Sequence, residues 1–189
     1  MKQLAAFSIS AIFLLNVAFG QTTKTKDGDM KVKEKGSMTK VKDKSGNGMM
    51  PYMATYSSNF RIGNPAYARM VLDLWKDYDD NMFDRHSGWF ADTMRMEMPD
   101  GKVVKGKEDN MAGVKKYRGS MSSAVSSIQA YIPLHSIDRN EDWVAIWGTE
   151  KDTYADGHSE DVAIQEIWQI NKDGKVVFIK QYVSKAMPQ

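Results

Sequence analysis

The chain has 189 residues, 42% of them hydrophobic and 26% charged, which is enough for one ordinary globular core and too little for a second folded domain of usual size. It contains no cysteine, which excludes a disulfide framework, a thiol nucleophile and a lipidated cysteine. The net charge of +2 is unevenly spread: eight lysines between Gln21 and Tyr52 meet only Asp27, Asp29, Glu34 and Asp43, so the remainder is mildly acidic and no nucleic acid partner is expected.

At the start, Lys2 precedes an apolar run from Leu4 to Phe19, broken only by Ser8, Ser10 and Asn16 and followed by Gly20. This layout reads as a secretory signal over residues 1–20, with small Ala18 and Gly20 at the positions a signal peptidase reads. A membrane anchor is the competing reading, although the run is short for a span of roughly 20 apolar residues. The signal implies a periplasmic or secreted product with no membrane span after cleavage. From Gln21 to Gly48 there is no aromatic residue and little aliphatic surface, so residues 21–52 are expected to form a disordered Lys-rich linker. Three loose copies of one unit lie in it, at Lys24 to Asp27, Lys31 to Glu34 and Lys40 to Asp43. They fit a solubilising spacer or a basic arm for an anionic surface.

Asn64 and Pro65 predict a helix start, an amide N-cap followed by proline at the first helical position. Beyond them Tyr67, Met70, Val71, Leu74, Trp75, Tyr78 and Met82 recur at spacings of three and four, with Arg69, Asp73, Lys76, Asp77 and Asp80 opposite. A short second helix is expected from Asp84 to Phe90. The alternation of Thr93 to Met98 predicts a strand closed by Pro99, Asp100 and Gly101. A third helix carries Met111, Val114, Tyr117 and Met121 on one face, with Gly119 and the serines after it marking its end. The rest reads as an antiparallel meander of Ile128–Ile137, Trp143–Tyr154, Val162–Ile170 and Val176–Val183. Its strongest hairpin signal is Asp173-Gly174. Helices first and strands last predict a segregated α+β domain, residues 60–189.

That order, with four local pieces in sequence, resembles the SnoaL-like branch of the nuclear transport factor 2-like superfamily. The pieces are Trp89-Phe90-Ala91-Asp92, then Pro99-Asp100-Gly101 with Lys105-Gly106, then Glu166-Ile167-Trp168, and finally Asp173 to Val176 with Gln181-Tyr182. The resemblance covers about Ala66 to Val183. It implies a cone in which a curved antiparallel sheet wraps the long helix and leaves a pocket at its open end. Members range from ketosteroid isomerases, polyketide cyclases, dehydratases and epoxide hydrolases to proteins without chemistry, so the fold leaves function open. By the resemblance, an isomerase's helix tyrosine falls here at Leu74 and its catalytic aspartate at Met98, neither of which transfers a proton. A third isomerase role, an acid that donates a hydrogen bond when protonated, falls at Glu166. An isomerase of that type is therefore not expected.

Read from the residues alone, alternation puts Ile164, Glu166 and Trp168 on one strand face and Gln165, Ile167 and Gln169 on the other. A carboxylate between two large apolar neighbours is costly unless it lines a cavity or finds a partner, such as a Lys or Arg on an outward face. The expected pocket lining is Leu74, Trp75, Tyr78, Phe90, Met98, Ile164, Glu166 and Trp168, with Glu166, His135 and Tyr78 as the candidate catalytic groups. His86, His135 and His158 sit on separate predicted elements without ligand spacing, so no metal is expected, nor any cofactor. His135 fits a histidine at the sheet surface or a pocket acid or base. Asp77, Asp79 and Asp80 spread around the helix circumference and read as a solvated end. Three functions stay open: binding of a small apolar or aromatic molecule in the cone, an isomerase-, cyclase- or dehydratase-like enzyme using Glu166, and a homodimeric or partner-binding scaffold with a filled pocket.

Overall fold

The computed structural model describes residues 51–186, together with the backbone of residues 32–33 and 40–41. The signal expected at 1–20 and nearly all of the linker expected at 21–52 lie outside the described residues. The exceptions are residues 51–52 and a short antiparallel pairing of Val32–Lys33 (β1) with Lys40–Val41 (β2). The chain divides into two compact units, Met1–Met53 and Ala54–Gln189, and all that follows concerns the second.

Asn64 caps α1 (Pro65–Asp79) as expected, its side chain accepting from Ala66 N at 3.0 Å with Pro65 in the first turn. Ala68, Val71, Leu74 and Trp75 form the buried stripe. The helix stops short of Met82 because Asn81 turns left-handed, with φ of 56°, and the amides of Asn81 and Met82 close on the carbonyls of Tyr78 and Asp77. The second predicted helix is a single 3₁₀ turn, Ser87–Trp89, and Phe90 already begins a strand.

The sheet has seven strands in the order β3 (Phe60–Ile62), β6 (Met121–Ser136), β7 (Glu141–Tyr154), β8 (Ser159–Ile170), β9 (Val176–Lys185), β4 (Phe90–Glu97), β5 (Val103–Lys105). All neighbours are antiparallel except β4 and β9, which run parallel. Between β5 and β6 lies α2 (Lys107–Arg118). It packs against β4 and β5, while α1 packs against β6 and β7. The core between α1 and the inner sheet face comprises Val71, Leu74 and Trp75 with Phe90, Met94, Val144, Ile146, Ile164, Trp168, Ile170, Val176 and Ile179.

β3 and β5 were not expected, and β6 starts seven residues before its predicted Ile128. The serines that suggested a helix end are instead the first part of a strand, because Met121 and Ala124 are buried and the segment pairs along β7. Tertiary pairing here overrides local propensity. Gly148, in β7, permits a close approach of helix to sheet: a Cβ there would lie 2.9 Å from the Trp75 ring and 2.8 Å from the Ser127 carbonyl oxygen.

Candidate functional site

Three polar stations lie along the inner sheet face. The central one is Glu166 on β8, 5% exposed, with Ile164 and Trp168 buried on the same face. Its Oε2 accepts from the indole N–H groups of Trp75 (2.8 Å) and Trp168 (2.9 Å), and its Oε1 from the Gln181 carboxamide (2.8 Å). Burial raises the carboxyl pKa, and the three donors offset part of that rise. Glu166 thus faces inward as alternation requires, without a Lys or Arg partner, and its oxygens are engaged by the chain's own donors. Leu74, Trp75, Phe90, Ile164 and Trp168, expected to line a pocket, pack together around it as buried core. Met98 stands apart from them, in the turn between β4 and β5, where its amide and carbonyl pair with Lys102 and Gly101.

The second station lies where α1 ends. Glu150 and Asp152 are two apart on β7 and share the inner face with Val144, Ile146 and Gly148; Glu150 stands opposite Val162, four residues or roughly 13 Å along β8 from Glu166. Ser126 of β6 donates its hydroxyl to Asp79 at 2.7 Å and approaches Glu150 at 3.4 Å. Buried Arg118 donates to the carbonyls of Tyr78 (3.0 Å), Asp79 (2.9 Å) and Met121 (3.2 Å), closing the C-terminal end of α1. Burial raises the Asp152 carboxyl pKa, and the Glu150 side chain and the Arg118 charge offset part of that rise. Burial together with Asp152 pushes the Glu150 carboxyl up to about 8. Asp152 is 2% exposed and its Oδ1 has no N–H or O–H donor among the described residues. Glu150 holds a proton to higher pH than an ordinary carboxyl, and the two titrate as a pair. Burial raises the phenol pKa values of Tyr78 and Tyr117, Tyr154 adds to the rise at Tyr117, and the two carboxyls add to both.

The third station lies where α1 begins. Arg61 on β3, His135 on β6 and Asp142 on β7 are direct cross-strand neighbours. His135 Nδ1 lies 2.8 Å from Asp142 Oδ1. A carboxylate only accepts, so Nδ1 carries the hydrogen and Nε2 is left for other partners. A cleft of about 360 Å³ opens here, lined by Arg61, Ile62, Gly63, Asn64, His135 and Asp142. Another, of about 640 Å³, lies over the loop after α1, lined by Asn81 to Arg85 and Lys115.

The candidates Glu166, His135 and Tyr78 therefore do not converge: each belongs to a different station. The other two histidines also meet an aspartate, His86 with Asp77 at 2.7 Å and His158 with Asp156 in the turn. Asp77 departs from the expected solvated helix end. It is buried because Arg85 (3.0 Å) and His86 fold back onto it from the following loop. Among the described residues no three His, Asp or Glu side chains gather to hold a metal ion. Sequence reasoning missed Glu150 and Asp152, although alternation from Val144 and Ile146 would have found them on the inner face. Asp142 lies on the same alternation, two residues before Val144, whereas Arg118 left no such pattern.

No protein-family model matches the sequence, and no curated protein matches it. Solved structures do match the fold. They include AusH from Aspergillus nidulans (TM-score 0.54, 13% identity, 68% of this chain and 90% of that one) and an epoxide hydrolase of the LEH-like type from M. tuberculosis (0.52, 12%, 64% and 84%). A third is an NTF2-like protein of unknown function from Burkholderia pseudomallei (0.52, 14%, 62% and 90%). With two helices and a seven-stranded, mostly antiparallel sheet, the chain has the α+β fold of nuclear transport factor 2-like proteins.

Proposed function

We propose that the domain binds a small, largely apolar or aromatic molecule where α1 ends, with Glu150 and Asp152 as polar anchors and Tyr78 and Tyr117 as aromatic walls. Asp152 carries the reading: a buried carboxylate oxygen without a fixed donor costs on the order of 1 to 3 kcal/mol, and a ligand hydroxyl or amine would supply that donor. Glu166 serves in this reading as the acceptor that locks Trp75 and Trp168 in place, not as the ligand's anchor. The same pair extends the reading to chemistry, since Glu150, which burial and Asp152 keep protonated to about pH 8, can offer that proton to a ligand oxygen. Proteins of this fold include an LEH-like epoxide hydrolase from M. tuberculosis, which is a precedent for hydrolytic chemistry on it. Export through the residue 1–20 signal, to the periplasm or the exterior, completes the proposal.

The test is mass spectrometry of small molecules retained by the native protein, repeated with Asp152→Asn and Glu150→Gln. Loss of the retained molecule in either variant, with folding intact by circular dichroism, is the expected result. Retention unchanged in both would discard the site.

A second, non-catalytic reading is favoured by the outer sheet face, where Ala130, Trp147, Gln165 and Tyr182 form one cross-strand row and Ile132, Ala145, Ile167 and Lys180 the next. Tyr182 is exposed and Trp147 half-buried. A homodimer would cover these rows, and sedimentation velocity over a concentration series distinguishes it from a monomer.

A further inference from the structure

The station at the start of α1 combines features that the proposed function does not use. Arg61, His135 and Asp142 occupy adjacent positions across three strands on one sheet face, a spacing at which neighbouring side chains touch. The row is held in register by Gly63. Its amide donates to the Pro133 carbonyl at 2.9 Å, and a Cβ on it would lie 2.8 Å from the Leu134 backbone, so only glycine lets β3 end this close to β6. Asp142 fixes the imidazole with Nδ1–H toward itself. Arg61 is exposed and has no carboxylate partner among the described residues. The cleft's remaining lining, Ile62, Gly63 and Asn64, is uncharged.

We propose that this cleft is a binding site for a small oxyanion, a carboxylate or a phosphate group, gripped by the Arg61 guanidinium and by His135 through Nε2. Guanidinium geometry suits two oxygens of one such group, and charge-assisted bonds of this kind are about twice as strong as neutral ones. Asp142 acts as a positioning residue, turning Nε2 to the ligand. Its negative charge does not defeat the site: the row of three sums to zero with a neutral imidazole and to a positive charge with a protonated one. Nothing else lining the cleft repels an anion.

The experiment titrates the full-length protein with inorganic phosphate and, separately, with acetate at constant ionic strength, following the His135 ring nitrogens and the Arg61 side chain by ¹H–¹⁵N NMR. A saturable shift of His135 Nε2 with at least one anion is expected. A response to phosphate alone, acetate alone or both assigns the ligand class. Arg61→Gln should weaken that binding by about tenfold, consistent with loss of a charge-assisted pair. Arg69→Gln, which removes an exposed arginine of α1 paired with Asp73, should leave it unchanged. Absence of a saturable shift with either anion would overturn the proposal, as would a shift that persists at full affinity in Arg61→Gln.

Discussion

A carboxyl group in the middle of an apolar core survives only if something meets it, and Glu166 is met by two indoles and a carboxamide, all donating. That set matches an ionised acceptor. A proton on Oε1 would require Gln181 to turn its own oxygen to the carboxyl. Glu150 differs because burial beside another carboxyl favours keeping a proton rather than shedding it. Its folded-state value of about 8 lies above the ordinary 4.5, so between these values the folded chain holds a proton that the unfolded chain has released. The resulting stabilisation is complete below about 4.5 and is lost as pH rises through about 8. Burial pushes Asp152 and Glu166 the same way. Urea midpoints measured between about pH 5 and pH 8 should therefore fall as pH rises, and Glu150→Gln should flatten the slope. A midpoint independent of pH in the unaltered protein would refute the proton retained on Glu150.

At the level of elements, the decisive contact is α1 against β7, and it depends on a missing side chain. Trp75 lies over Gly148 and reaches past it to Glu166, so the helix seats at a depth set by one glycine. Gly148→Ala must displace either the indole or the β6 backbone, and overpacking of this kind costs about 1 to 3 kcal/mol. Thermal denaturation should show that loss, together with a change in Trp fluorescence. An unchanged melting temperature would mean that α1 slides without penalty. The sequence made α1 legible through Asn64, Pro65 and the stripe from Tyr67 to Tyr78, and it made β8 legible through the alternation around Glu166. It did not reveal β4's neighbour, because parallel pairing with β9 leaves no local trace. Nor did it reveal the start of β6, whose serines have weak strand preference and are held by β7. Asp77 was misread for a related reason, since its partners Arg85 and His86 arrive through a loop whose path no periodicity encodes. Of the candidate sites, the orientation of Glu166 was readable from period alone. Its saturation was not, because Gln181 and Trp75 come from two other elements.

For the whole molecule, the sheet order β3-β6-β7-β8-β9-β4-β5 places the last strand, Val176–Lys185, between β8 and β4. Strands β6 to β9 join through successive hairpins, whereas β4 meets the sheet only through β9, about 80 residues later in the chain, and closing so long a loop is entropically slow. Pulsed hydrogen exchange during refolding should accordingly protect the amides of β6, β7 and β8 before those of β4 and β5. Simultaneous protection would show that the helices, not β9, recruit β4. The insertion of β9 also makes it a keystone in time as well as in space. Until it docks, a newly made chain holds two separate sheet fragments with open, adhesive borders, and this is the interval in which it is most exposed to misassembly and to capture by chaperones.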